Sequence, residues 1–149
     1  MTTQSSHTIA IEDQPSQDDV DIVSEGLYAF NRSHAPAENH QGLVLFIRRQ
    51  DGSVAGGLLG QTYWGWLHIG ILWVDEGLRG RGYGTKLLAL AEAEAIRRGC
   101  SAAYLDTLDF QALPFYERLG YSVWGTLDDF PPGHSRYWVK KDLAPPQET

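Results

Sequence analysis

Cysteine is almost absent from this chain: Cys100 stands alone among 149 residues. No internal disulfide and no cysteine-rich zinc site can form from it, and a small buried apolar role is the expectation. Apolar runs are short, and none nears the roughly 20 residues of a membrane-crossing helix. The opening residues Met1-Thr2-Thr3-Gln4-Ser5-Ser6 lack a basic stretch followed by an apolar one, so no secretory leader is expected. Positive charge is scarce too. Twelve Lys and Arg against 19 Asp and Glu leave a net charge of -7, which argues against nucleic acid as a partner and favours small cationic or amine-bearing ones. These absences together point to a reducing cytoplasm, with no membrane partner and no metal site. No internal repeat divides the chain, so residues 1–149 are expected to form one domain, with 1–6 and 144–149 as loose tails.

What is present is apolar and aromatic: 42% of residues are hydrophobic and 11% are Phe, Trp or Tyr, enough for one packed core. Residues 7–12 alternate and are expected as a first strand. A helix with an acidic first turn should follow, from about residue 15 to 33, and then a loop over 34–41. Two strands over 43–48 and 54–63 flank Asp51-Gly52, a hairpin signal. Residues 66–74 read as a central strand, 86–96 as an amphipathic helix, 102–106 as a strand and 111–119 as a short helix. Residues 121–127 and 136–140 supply the last strands.

Between the central strand and the long helix lies Arg79-Gly80-Arg81-Gly82-Tyr83-Gly84-Thr85. Glycines let the backbone come close to an anion, and the first turn of a helix offers unpaired N–H groups and a positive dipole end. The run therefore reads as a phosphate-binding turn, with two arginines supplementing its amides. It lacks the Gly-Lys-Ser/Thr ending of an ATPase loop, and no early βαβ unit with a ribose-binding acid precedes it.

Arg79, Gly82 and Gly84 satisfy Arg/Gln-x-x-Gly-x-Gly. Downstream, Ala112-Leu113-Pro114-Phe115-Tyr116-Glu117-Arg118-Leu119-Gly120-Tyr121 satisfies Ala-x-x-Phe-Tyr-x-x-x-Gly-Phe/Tyr. Over about residues 42–143 the chain resembles the GCN5-related N-acetyltransferase superfamily on these two motifs. The resemblance implies an α/β fold: a twisted mixed β-sheet of about six to seven strands, with helices on both faces and a splay between the two central strands. It also implies acetyl-CoA as cosubstrate, an amine acceptor and a homodimer.

By position, the resemblance assigns the pyrophosphate to Arg79, Gly80, Arg81, Gly82, Tyr83, Gly84 and Thr85. The pantetheine arm falls to the backbone at Leu72, Trp73 and Val74, with Phe115 and Gln111 alongside. Tyr116 matches the tyrosine placed near the coenzyme sulfur, where a phenol can protonate the leaving thiolate. His68 stands eleven positions before Arg79, where several members of the superfamily carry a catalytic glutamate, and a histidine there can accept a proton near neutral pH. Strand alternation places Trp66, His68, Gly70 and Leu72 on one face.

The superfamily's usual asparagine is Asp109 here, an acceptor that cannot donate as an amide does. Either Gln111 substitutes or Asp106 and Asp109 face a cationic acceptor; capping of the helix that follows is the expectation for Asp109. For the acceptor, Trp64 and Trp66 suggest an aromatic wall and Asp106 an acidic partner for an amine or ammonium group. The expected activity is acetyl transfer to a primary amine of a small molecule, in a ternary complex. A protein or peptide acetyltransferase and a non-catalytic acetyl-CoA sensor are the alternatives.

Overall fold

The computed structural model describes residues 6–143; of the tails expected at 1–6 and 144–149, residues 1–5 and 144–149 lie outside the described residues. Two compact units divide the chain after Ala37.

In the first unit, α1 spans Gln17–His34. Ser16 caps it, its hydroxyl accepting the Asp19 N–H at 3.2 Å, while Asp18 and Asp19 complement the positive end of the helix dipole. It stops at Ala35, which is extended at φ -134 and ψ 160, the conformation imposed on a residue preceding proline. Residues 7–12 do not form the expected strand. Their alternation holds only two strong apolar positions, Ile9 and Ile11, both fully exposed, and no ladder among the described residues includes them.

In the second unit, a six-stranded mixed sheet runs in the order β1-β2-β3-β4-β6-β5. β1 (Gln41–Arg48), β2 (Val54–Tyr63) and β3 (Trp66–Val74) form an antiparallel meander. Its second turn, Trp64-Gly65, has positive φ at both residues, 45° and 77°, as a tight hairpin turn requires. A single 3₁₀ turn over Glu76–Leu78 leads to α2 (Tyr83–Arg97) and then to β4 (Ala102–Leu108), which is parallel to β3. A parallel neighbour needs a crossover, and α2 provides it. α3 (Leu113–Arg118), β5 (Ser122–Asp128) and β6 (Ser135–Asp142) complete the unit, with β6 inserted antiparallel between β4 and β5.

α2 buries Leu87, Leu88, Ala91 and Ala95, a stripe at helical spacing. Leu88, Ala91 and Ala95 belong to one core with Leu58, Leu67, Ile69, Leu105 and Val139, and each of the large aliphatic side chains there contributes about 1.5–3 kcal/mol. Cys100 is buried in the same core. No helix among the described residues is long and apolar enough to cross a membrane.

Two irregularities in β3 position the site. Gly60 pairs with Ile69 while Leu59 pairs with Ile71, so Gly70 is an extra residue in the strand. Such a bulge shifts the side-chain alternation. Trp66, His68 and Gly70 do share a face, but Leu72, expected with them, packs against the core on the α2 side. The second irregularity is the splay: β3 pairs with β4 only at Trp66, Leu67 and His68. From Gly70 to Val74 the β3 edge has no β4 partner.

Candidate active site

The glycine run closes on its helix as the residue types dictate. Gly82 is the N-cap of α2 in the left-handed conformation, φ 83 and ψ 6, and offers no side-chain cap. The N–H groups of the first helical turn therefore remain available to an anion. A Cβ on Gly84 would stand 3.3 Å from the Phe115 ring, so the third glycine admits close packing of α3 against the loop. Arg79 turns back and donates its Nε to the Val74 carbonyl at 3.0 Å, tying the loop to the end of β3.

This loop borders a cavity of about 680 Å³ whose far wall is α3 and the segment before it. Of the residues assigned to the coenzyme from sequence, Leu72, Trp73, Val74, Arg79, Gly80, Gly82, Tyr83, Gly84, Thr85, Gln111 and Phe115 all line it, and Arg81 does not. Arg118 lines it as well, a cation that sequence reasoning did not single out. Two places beyond Tyr116 on the same short helix, it was within reach of the motif that located Tyr116.

A second cavity, of about 290 Å³, occupies the splay between β3 and β4. Both cavities include Leu72, Trp73, Gln111, Ala112 and Tyr116, so they meet at that wall. The Tyr116 ring is buried and packs edge-on against Phe115 and Tyr121, with centroids 5.1 and 5.9 Å apart. Tyr121 is itself held by a hydrogen bond from its hydroxyl to Glu92 at 2.9 Å. Burial pushes the Tyr116 phenol up to about 12, with the Asp106 charge adding to it, so the hydroxyl is protonated at neutral pH.

Gln111 accepts the Leu108 N–H on Oε1 at 2.8 Å, which orients the amide and leaves its NH₂ group to donate. Asp109 does not cap α3, whose N-cap is Ala112 with no side-chain bond. Its carboxylate instead accepts the Ser135 N–H at 2.8 Å and meets His134 Nδ1 at 2.8 Å, holding the β5–β6 connection to the end of β4. The Ser135 N–H, with His134 behind it, holds that carboxyl below the usual range.

His68 lines neither cavity. Its ring stacks on Tyr104 at 4.7 Å, two residues before Gly70, which does border the splay. Burial lowers its pKa from the ordinary 6.5, opposed by the weaker attraction of Asp106, so it is neutral at pH 7. Asp106 borders the splay, yet its carboxylate is already engaged: Arg136 donates to it through Nε at 2.7 Å. Trp64 and Trp66, expected to work with Asp106, line a separate aromatic cavity of about 490 Å³ at the other end of β3.

Comparison with known proteins identifies the family. The profile of the acetyltransferase (GNAT) family matches residues 8–121. An acetyltransferase of Agrobacterium fabrum is 42% identical over 119 residues, covering 80% of this chain and 87% of its own. A blasticidin-S acetyltransferase of Streptomyces morookaense is 46% identical over 93 residues, covering 62% of this chain and 68% of its own. The crystal structure of an acetyltransferase from Bacillus cereus superposes with a TM-score of 0.82 at 31% identity, over 90% of this chain and 98% of that one.

Proposed function

Because the chain belongs to the acetyltransferase (GNAT) family, we propose that this acetyltransferase moves the acetyl group of acetyl-CoA to a primary amine of a small molecule, by direct attack in a ternary complex. Support for a small acceptor comes from the blasticidin-S acetyltransferase among its relatives. The family match begins at residue 8 and so runs through both compact units, which supports one acetyltransferase domain over 1–149. The expected homodimer and cytoplasmic location belong to the same reading.

Acetyl-CoA supplies an acyl group activated as a thioester. In this reading the N–H groups of Tyr83, Gly84 and Thr85 hold the pyrophosphate, with the Arg79 and Arg118 cations near it. The unpartnered β3 edge between Gly70 and Val74 supplies backbone groups to pair with the pantetheine arm, and a donor for the developing oxyanion. Gln111 takes the donor role that Asp109 cannot fill.

Tyr116 carries the proposal. It borders both the loop cavity and the splay, and among the described residues it is the one ionisable side chain common to the two. Its protonated hydroxyl donates to the sulfur as that atom leaves. His68, neutral at pH 7, accepts the amine proton through water, since one step along the strand, about 7 Å, separates it from Gly70 at the cavity edge.

The test is the initial-rate pattern with acetyl-CoA and amine both varied. Intersecting lines are expected for direct transfer. Parallel lines, the mark of an acyl-enzyme, contradict it.

A further inference from the structure

The aromatic cavity is walled by Tyr63, Trp64, Trp66, Tyr104 and Trp124, and its one charged member among the described residues is Lys140. Its walls are tied together: Trp66 meets Tyr104 edge-on at 5.7 Å, and the hydroxyls of Tyr63 and Tyr104 are hydrogen-bonded. Trp124 is the residue left out of the ladder where β5 slips register between Val123 and Gly125, a bulge that re-aims its side chain. Trp64, Trp66 and Trp124 remain 42%, 36% and 57% exposed, although the core of this unit is well formed without them. Large aromatic rings clustered at a cavity and left open to solvent are characteristic of a binding surface.

The charge at this cavity is opposite to what an ammonium ligand requires. No carboxylate among the described residues lines it, and Asp106, on that face, is in the splay and paired with Arg136. Lys140 makes no ion pair among the described residues. Ring faces favour cations in isolation, but a lysine at the rim repels them and attracts an anion.

Position links the cavity to the reaction. Trp66, His68 and Gly70 share one face of β3, and Tyr104 on β4 stacks with His68 beside them. Tyr104 to Asp106 is about 7 Å and Trp66 to Gly70 about 13 Å at strand spacing. A small molecule can bridge that gap with one end in the aromatic cavity and its amine in the splay.

We propose that the aromatic cavity is the specificity subsite of the acceptor and takes a flat ring bearing a carboxylate, with Lys140 receiving the carboxylate. This rests on the reading of the protein as a small-molecule acetyltransferase.

The test uses paired primary amines of increasing chain length that end in either a phenyl or a benzoate ring. A benzoate lacking the amine is titrated separately by tryptophan fluorescence. The wild type should show a KM about fivefold lower for the benzoate member of the best pair, the scale of one solvent-accessible ion pair. Lys140→Met should erase that difference, bringing the KM of the benzoate member up to that of its phenyl partner. Trp124→Ala should raise KM for both members. Equal KM values within every pair, or a preference that survives in Lys140→Met, overturn the subsite while leaving acetyl transfer standing. Saturable benzoate binding that Lys140→Met weakens, with no amine of the panel acetylated, keeps an anion site at Lys140 but overturns its assignment to the acceptor.

Discussion

Arg136 donates through Nε to the Asp106 carboxylate at 2.7 Å, and its guanidinium lies 4.5 Å from the centre of the Phe130 ring. Asp106 is thus neutralised from its own sheet, by the strand beside it. Its residual field still reaches two groups of the proposed chemistry, raising both the Tyr116 phenol and the His68 imidazole. Arg136→Met leaves that carboxylate unpaired, and an unpaired carboxylate favours the imidazolium. The acid limb of kcat/KM should move up by roughly one pH unit. A limb that stays in place removes the Asp106 field from the account.

Tyr116→Phe keeps the ring and its packing against Phe115 and Tyr121 and removes only the hydroxyl. kcat should fall about 10²-fold, the scale of one positioned proton donor, with acetyl-CoA affinity unchanged by calorimetry. Unchanged turnover would take Tyr116 out of the mechanism.

Gly82 sits at φ 83, and a Cβ added there would meet no atom within 4 Å, so strain and charge can be separated at this position. Gly82→Ala adds only a left-handed backbone penalty of about 1–2 kcal/mol and should weaken acetyl-CoA binding by no more than roughly thirtyfold. Gly82→Glu places a carboxylate at the helix N-terminus and should abolish binding. Equal binding by the two variants would mean that no phosphate rests there.

His68→Ala tests the base. Burial depresses the folded pKa below 6.5, so wild-type kcat/KM should rise with pH through that lower value and flatten above it. The stability contribution has the same direction: a histidine held neutral in the fold contributes above its unfolded pKa, and the contribution is lost as pH falls through the folded one. In His68→Ala the acid limb should disappear from the rate profile. A retained limb assigns the proton to another group.

The parts of the site legible from sequence were those within a few residues of each other. The run from Arg79 to Thr85 and the pair Phe115-Tyr116 each lie on one local turn or helix, and the motifs they carry marked residues that line one cavity. The strand limits 54–63 and 66–74 were equally local, set by apolar content and the Trp64-Gly65 turn. What escaped depended on partners distant in the chain. Asp109 read as a cap because its true partners, His134 and Ser135, are some 25 positions away. The Gly70 bulge has no signature beyond a lone glycine, and it moved Leu72 to the other face. Lys140 enters the aromatic cavity only because β6 inserts beside β4, placing it opposite Tyr104.

Thiol release from acetyl-CoA by the purified protein is the most direct measurement, made across small primary amines, including blasticidin S, and across peptides with free N-termini. Amine-dependent release with a small-molecule acceptor is expected, with one acetyl group gained on that amine and little release with peptides. Turnover confined to peptides, or tight acetyl-CoA binding with no turnover on any amine, would contradict it.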